Sequence, residues 1–193
     1  MVRIYQSKLY HQPAYLDLLI NIANSVIGDN EILYVALKGT FKEFLFCTDK
    51  NVYIVKQGYM TGHTFGNGIF SMPYKNITNA EVNYGFLGNG YFEISAGGMQ
   101  NTRKSYWSND PDKSAAKQPN SISIASKVVS DSFNYAKNFI LEKVNETHMP
   151  VNTVSTISPA DEILKYKKLL DEGIITDEEF ILKKKELPGV VAH

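Results

Sequence analysis

The chain reads as an α+β protein: an antiparallel β-sheet bent into a barrel or sandwich, two long helices, and a small α-helical hairpin. Three observations predict this. Short runs rich in aromatic and β-branched residues recur about every 8–12 residues between positions 32 and 95, with no helical pattern between them. Val129, Phe133, Ala136, Ile140 and Val144 then repeat at helical steps. Residues 158–188 hold two further helical patterns parted by Gly173.

The elements follow in order. Pro13 suits a first helical position, and Tyr15, Leu16, Leu19, Ile22, Ala23 and Val26 recur at helical spacing up to the stop at Gly28. Asp17 is the only charge in that helix, over 13–27, so it is expected to be buried over much of its surface. Strands are expected at 32–38, 43–48, 52–56, 69–72, 77–83 and 91–95. Asp49-Lys50-Asn51 joins one pair, Gly66-Asn67-Gly68 breaks the next, and Gly85, Gly88 and Gly90 mark a third turn. Residues 97–120 form a long polar insertion with Arg103, Lys104, Tyr106 and Trp107, the only tryptophan. A connection of that length is functional or disordered. Ile122-Ser123-Ile124 is a last short strand before the helix over 129–144. Residues 146–157 lack periodicity and read as a linker.

Lys plus Arg equals Asp plus Glu at 20 each, so no global positive field attracts nucleic acid or anionic lipid. Cys47, the one cysteine, cannot form an intrachain disulfide and sits in an apolar strand as a small buried hydrophobe. There is no signal-peptide core and no run near the ~20 apolar residues of a membrane span. The expected protein is soluble and cytoplasmic.

Motifs for chemistry are incomplete. His11, His63, His148 and His193 share no metal-ligand spacing. Gly66-Asn67-Gly68 and Gly88-Asn89-Gly90 lack the third glycine and following helix of a dinucleotide loop. Asp110-Pro111-Asp112 starts like a calcium loop, but the later glycine and glutamate are missing. No cofactor, metal or small-molecule substrate is therefore expected. Arg103, Lys104, Tyr106 and Trp107 join cations to aromatics and form a candidate ligand surface for a base or a lipid headgroup, or else a loop anchored by its tryptophan. Lys183-Lys184-Lys185 reads as a solvated helix C-terminus or a nucleic-acid contact.

The hairpin carries its own stops. Ser158 is an N-cap before Pro159, and Asp161 and Glu162 suit the positive first turn. Gly173 permits the left-handed residue that ends the first helix, and Thr176 with Glu179 is a capping box for the second. Tyr166, Leu169, Leu170, Ile174, Ile175 and Phe180 are more apolar surface than two short helices bury between themselves. They are expected to dock on the chain's own sheet domain or on another copy.

Phe70-Ser71-Met72-Pro73-Tyr74-Lys75-Asn76-Ile77-Thr78-Asn79-Ala80-Glu81-Val82 resembles the signature of bacterial pleckstrin-homology-like domains, with Met72 where isoleucine or leucine is commoner. The N-terminal helix and the insertion resemble the YokE-like branch. The resemblance implies a strongly bent seven-stranded sheet closed at one end by the C-terminal helix. Leu164 to Phe180, with Leu169-Leu170-Asp171-Glu172-Gly173-Ile174-Ile175-Thr176-Asp177-Glu178-Glu179, is similar to the SHOCT (short C-terminal) domain, followed by Lys183-Lys184-Lys185 and Leu187. That likeness implies oligomerisation and, less directly, nucleic-acid contact. Neither family implies catalytic residues. The expected organisation is a pleckstrin-homology-like domain at 1–145, a linker at 146–157 and a SHOCT hairpin at 158–188. The expected role is a non-enzymatic oligomeric scaffold or binding module with itself or another protein as partner. A lipid-binding module and a nucleic-acid-associated regulator are the alternatives.

Overall fold

The strand Glu43–Thr48 is buried along its whole length, because both faces of its sheet are covered. Its run Glu43-Phe44-Leu45-Phe46-Cys47 has no polar alternation for that reason. The computed structural model describes residues 2–4, 8–98, 104–106, 108–148 and 159–186. The chain divides into two compact units, Met1–His148 and Met149–His193.

In the first unit, β1 (Arg3–Ile4), β2 (Tyr10–His11), α1 (Leu16–Val26), β3 (Ile32–Lys38), β4 (Glu43–Thr48), β5 (Asn51–Gly58) and β6 (His63–Pro73) come first. β7 (Ile77–Tyr84), β8 (Gly90–Ala96), β9 (Ser121–Ile124) and α2 (Lys127–His148) follow. One sheet runs β1-β3-β4-β5-β6, with β2 also on β3, and the other runs β7-β8-β9. The seven strands β3 to β9 are antiparallel but split four and three between the two sheets. β1 and β2 lie parallel to β3 on its outer edge. These two-residue strands escape a sequence reading, because parallel pairing to a distant strand leaves no local period.

Alternation then sorts the core. Leu45, Cys47, Val52 and Ile54 point from the first sheet toward Phe92, Ile94, Ile122 and Ile124 of the second. Phe133, Ala136, Ile140 and Val144 of α2 join that cluster. Phe44, Phe46, Tyr53 and Val55 point the other way and meet Leu19, Ile22 and Ala23 of α1. The bent sheet is thus lined by α2-bearing core inside and by α1 outside.

Two corners close the structure. Thr40 N donates to Ser123 O at 3.0 Å, and Ser123 N donates to a Glu43 carboxylate oxygen at 3.0 Å. At the other corner a 3-10 turn, Tyr74–Asn76, links β6 to β7, and Tyr74 Oη donates to Thr48 O at 2.7 Å. The break expected at Gly66-Asn67-Gly68 begins a little earlier: Gly58 pairs with His63 and Gln57 with Asn67, so the β5–β6 register steps over residues 64–66 before regular pairing resumes at Asn67 and Gly68. The chain reverses at Gly58 and Gly62, whose φ values of 82° and 84° favour glycine.

In the second unit, α3 (Pro159–Asp171) and α4 (Asp177–Glu186) form the hairpin. Ile174 N donates to Leu169 O at 2.9 Å and Gly173 N to Leu170 O at 2.9 Å, with Gly173 at φ 70°. That is a complete Schellman stop. Thr176 N donates to Glu179 Oε2 at 2.9 Å and Glu179 N to Thr176 Oγ1 at 3.3 Å, a reciprocal capping box. Ser158 lies outside the described residues, as do residues 149–157 of the expected linker.

A Cβ added at Gly90 would overlap the Asn83 carbonyl oxygen across the β7–β8 pair, whereas one at Gly28 meets nothing within 4 Å. Gly90→Ala is expected to destabilise the first unit by about 1–3 kcal/mol or more. Gly28→Ala is expected to stay within about 0.5 kcal/mol of the parent. Chemical denaturation of the two variants checks both.

Candidate functional site

The insertion is where the structure departs most from the sequence reading. Lys104, expected as an exposed ligand contact, is buried with Glu93, its side chain 3% exposed. Its ammonium forms a short ion pair with Glu93 Oε1, and Asn120 Nδ2 donates to the same oxygen at 3.2 Å. Lys104 is therefore an anchor, and this corrects the expectation. No periodicity marks it, since its carboxylate partner comes from a strand eleven residues earlier. Arg103 and Trp107 lie outside the described residues.

A second buried pair holds the far part of the insertion. Lys56 Nζ lies 3.1 Å from Glu43 Oε1 and donates to Ala115 O at 2.9 Å and Ala116 O at 2.6 Å. All three ammonium donors are used. Glu43 also accepts from Ser123 N and Phe41 N. Burial raises the Glu43 carboxyl above its ordinary value against the pull of Lys56. Burial likewise lowers Lys56 to about 8, opposed by Glu43.

So anchored, the insertion walls a groove at one end of the first unit. Tyr106, Ser108 and Lys117 face Phe41, Tyr59 and Met60 across a cleft of about 270 Å³. Phe41 and Tyr106 lie 5.7 Å apart between ring centres. A second cleft of about 450 Å³ shares Phe41, Tyr59 and Met60 and continues to Lys38, Lys42 and Gln57. Tyr59 is 79% exposed at the groove mouth. Lys42 is the one non-glycine residue with positive φ among the described residues, at 48°. That conformation turns the β3–β4 connection so that Lys42 O accepts from Gln57 N at 3.1 Å. Burial lowers the Lys38 amine, opposed by Glu43. Lys42 and Lys117 have no carboxylate partner among the described residues.

Of the described residues of the expected surface, Lys104 and Tyr106, Tyr106 stands in this groove and Lys104 does not. Phe41, Tyr59 and Met60 fall between the strands expected at 32–38, 43–48, 52–56 and 69–72, and their convergence depends on two reversals far apart in sequence. A signal was present in Lys-Gly-Thr-Phe-Lys and Gln-Gly-Tyr-Met-Thr-Gly, two glycine-bearing turns each carrying an aromatic. Cys47 is fully buried, and burial pushes its thiol well above its ordinary value, so it is no nucleophile. Among the described residues no cluster of His, Cys, Asp and Glu could hold a metal ion, and no helix is long and apolar enough to cross a membrane.

In the hairpin, Tyr166, Leu169, Leu170, Ile175 and Phe180 are half-buried, while Ile174 is 64% exposed. Leu164, Ile181 and Leu182 are also exposed. Phe180, Ile181 and Leu182 are consecutive, so they spread around α4 and no single partner helix covers them.

No family model matches the chain, and no curated protein matches it. The chain is similar to solved structures, among them the following two. A pleckstrin homology domain from Shewanella amazonensis SB2B shares 18% identity over 67% of this chain and 87% of its own, with a TM-score of 0.44. A DUF1696 family protein with a pleckstrin-homology domain from Shewanella loihica PV-4 shares 20% identity over 68% of this chain and 91% of its own, with a TM-score of 0.38. The α+β class with bent antiparallel sheets is read from this chain's own strands.

Replacing Lys56 by Met leaves Glu43 buried without its cation. A loss of about 3–5 kcal/mol at neutral pH is expected. In the unfolded chain Lys56 returns to 10.5, so between about 8 and 10.5 the unfolded state holds more protons and this group's contribution to stability rises with pH. Below about 8 its burial cost is present in full. Denaturation curves across that window should show an upward component in the parent that Lys56→Met lacks.

Proposed function

We propose that this chain is a non-enzymatic binding module whose ligand surface is the groove between the β3–β4 turn, the β5–β6 reversal and the insertion. One observation carries the reading: exposed Tyr59 and Met60 sit among Lys38, Lys42 and Lys117. Apolar side chains ringed by cations fit an anionic surface with an apolar layer beneath it. An anionic membrane has that chemistry, with aromatic rings at the headgroup level and amines on phosphates. Among its described residues the groove holds no nucleophile beside a base, which favours binding over turnover. The net charge of the whole chain is zero, so the attraction is local to this face.

Vesicle flotation tests this. The full chain is expected to float with vesicles of phosphatidylcholine and phosphatidylglycerol, less with phosphatidylcholine alone, and less at high salt. Lys42→Glu with Lys117→Glu, or Tyr59→Ser, should leave the protein in the dense fraction with an unchanged melt. Equal flotation of those variants sinks the reading. A salt-sensitive gel shift of oligonucleotides in place of flotation supports the nucleic-acid alternative instead.

A second reading concerns the hairpin, which we propose joins copies of the chain. Its support is the apolar surface at Leu164, Ile174, Ile181 and Leu182 that the hairpin's own packing leaves exposed. These positions are better targets than the half-buried Ile175 and Phe180, because changing them spares the hairpin interior. Light scattering of the parent should give a mass above one chain, and Ile174→Asp with Leu182→Asp should return it to one. A monomeric parent at high micromolar concentration refutes association.

A further inference from the structure

A separate surface lies between the N-terminal edge of the first sheet and the exposed side of α2. A cleft of about 470 Å³ is lined by Lys8, Leu9, Tyr10, Tyr34, Tyr135 and Phe139. The aromatics form two rungs, each joining a strand to α2. Tyr10 stacks on Tyr135 with ring centres 3.7 Å apart, and Tyr34 meets Phe139 at 5.8 Å. The second rung rests on an irregularity. The β3–β4 register steps from Leu33–Thr48 to Val35–Cys47, so Tyr34 is the extra residue of a bulge. A bulge re-aims a side chain, and here it brings Tyr34 to the aromatic face of α2.

The chemistry of this surface is specific. Tyr10, Tyr34 and Tyr135 make no hydrogen bond through their hydroxyls to any described residue, so three phenolic donors stand at the ridges. Lys8 is exposed and has no carboxylate partner among the described residues. Lys143, over the Phe139 ring at 5.9 Å, is held by Glu146 at 2.7 Å. Glu142 is exposed on the same helix. With Lys8 the one cation of the cleft lining and Glu142 and Glu146 on the same helix, among the described residues, the cleft suits neither a phosphate chain nor a nucleic acid. Its ridges are flat and hydroxyl-tipped, which does not suit an aliphatic helix.

An extended proline-rich segment fits each feature. Polyproline II helix has no internal hydrogen bonds, so its carbonyls accept from outside donors. Its rings pack between aromatic ridges. Tyr135 and Phe139 are one helical turn apart, about 6 Å along α2, the length of about two residues at ~3.1 Å each in that conformation. We infer that the Tyr10–Tyr135 and Tyr34–Phe139 rungs form a docking site for a proline-rich segment of a partner protein in polyproline II conformation, with an acidic residue of that segment on Lys8. The site is independent of the lysine-ringed groove.

The probe is a fluorescein-labelled decaproline peptide carrying one terminal Asp, titrated with the full chain and read by anisotropy. Saturable binding is expected, with none to a Gly-Ser peptide of equal length and the same Asp. Tyr135→Ala, at a half-exposed helix position, should weaken binding roughly tenfold with an unchanged melt, as loss of an aromatic anchor does. Lys8→Glu, in the exposed turn before β2, should reverse the preference between peptides ending in Asp and in Lys. The inference is overturned by any of three results: no saturation with decaproline at millimolar concentration, undiminished binding by a folded Tyr135→Ala protein, or stronger displacement by an oligonucleotide than by unlabelled peptide.

Discussion

The buried Glu43–Lys56 pair is the constraint on which the groove end of this protein depends. Two ions removed from water are costly, and their attraction offsets that cost only when the remaining donors and acceptors are satisfied. Here Lys56 spends its other donors on Ala115 O and Ala116 O, and Glu43 takes the Ser123 and Phe41 amides. The pair thereby ties β4, β5, β9 and the insertion to one point. Glu93 and Lys104 repeat the arrangement on β8 with Asn120 as the third member. A polar insertion with little apolar surface of its own is fixed by charge rather than by hydrophobic packing.

This anchoring explains how a surface feature is built from unpromising sequence. The insertion contributes Tyr106, Ser108 and Lys117 to the groove, and all three depend on its seat against the sheet. The facing wall depends on the left-handed Lys42 and on Gly58 and Gly62, which bring Phe41, Tyr59 and Met60 to the same end. Buried ion pairs behind, with the half-buried Phe41 and Tyr106 and the exposed Tyr59 in front, give this groove a pre-formed shape, and a pre-formed surface has little ordering left to do on contact.

The sheet itself is covered on both sides by different helices. α2 fills the concave side with Phe133, Ala136, Ile140 and Val144. α1 covers the convex side, which a bent antiparallel sheet otherwise turns to water. The short β1 and β2 occupy the free edge of β3, and Gln12 extends that cover by exchanging side-chain hydrogen bonds with the Lys38 backbone. An edge treated in this way is protected from pairing with other chains. The aromatic cleft beside α2 exists because β2 stands there.

The sequence by itself determined the elements whose signals are local. α2 was legible from Phe133 to Val144, since one face of a helix must be apolar where it is buried. The Gly173 stop and the Thr176–Glu179 box were legible too, because each cap is closed within a few residues. The strands from 32 to 95 were placed by composition, and Gly66-Asn67-Gly68 marked the place where the β5–β6 register steps. Tertiary structure decided what depends on distant partners. It buried Lys104 and Lys56 against carboxylates from other strands, paired β1 and β2 with β3, and converged Phe41, Tyr59, Met60 and Tyr106. An ion pair or a groove is a relation between segments brought together by folding, and no periodicity within one segment encodes it.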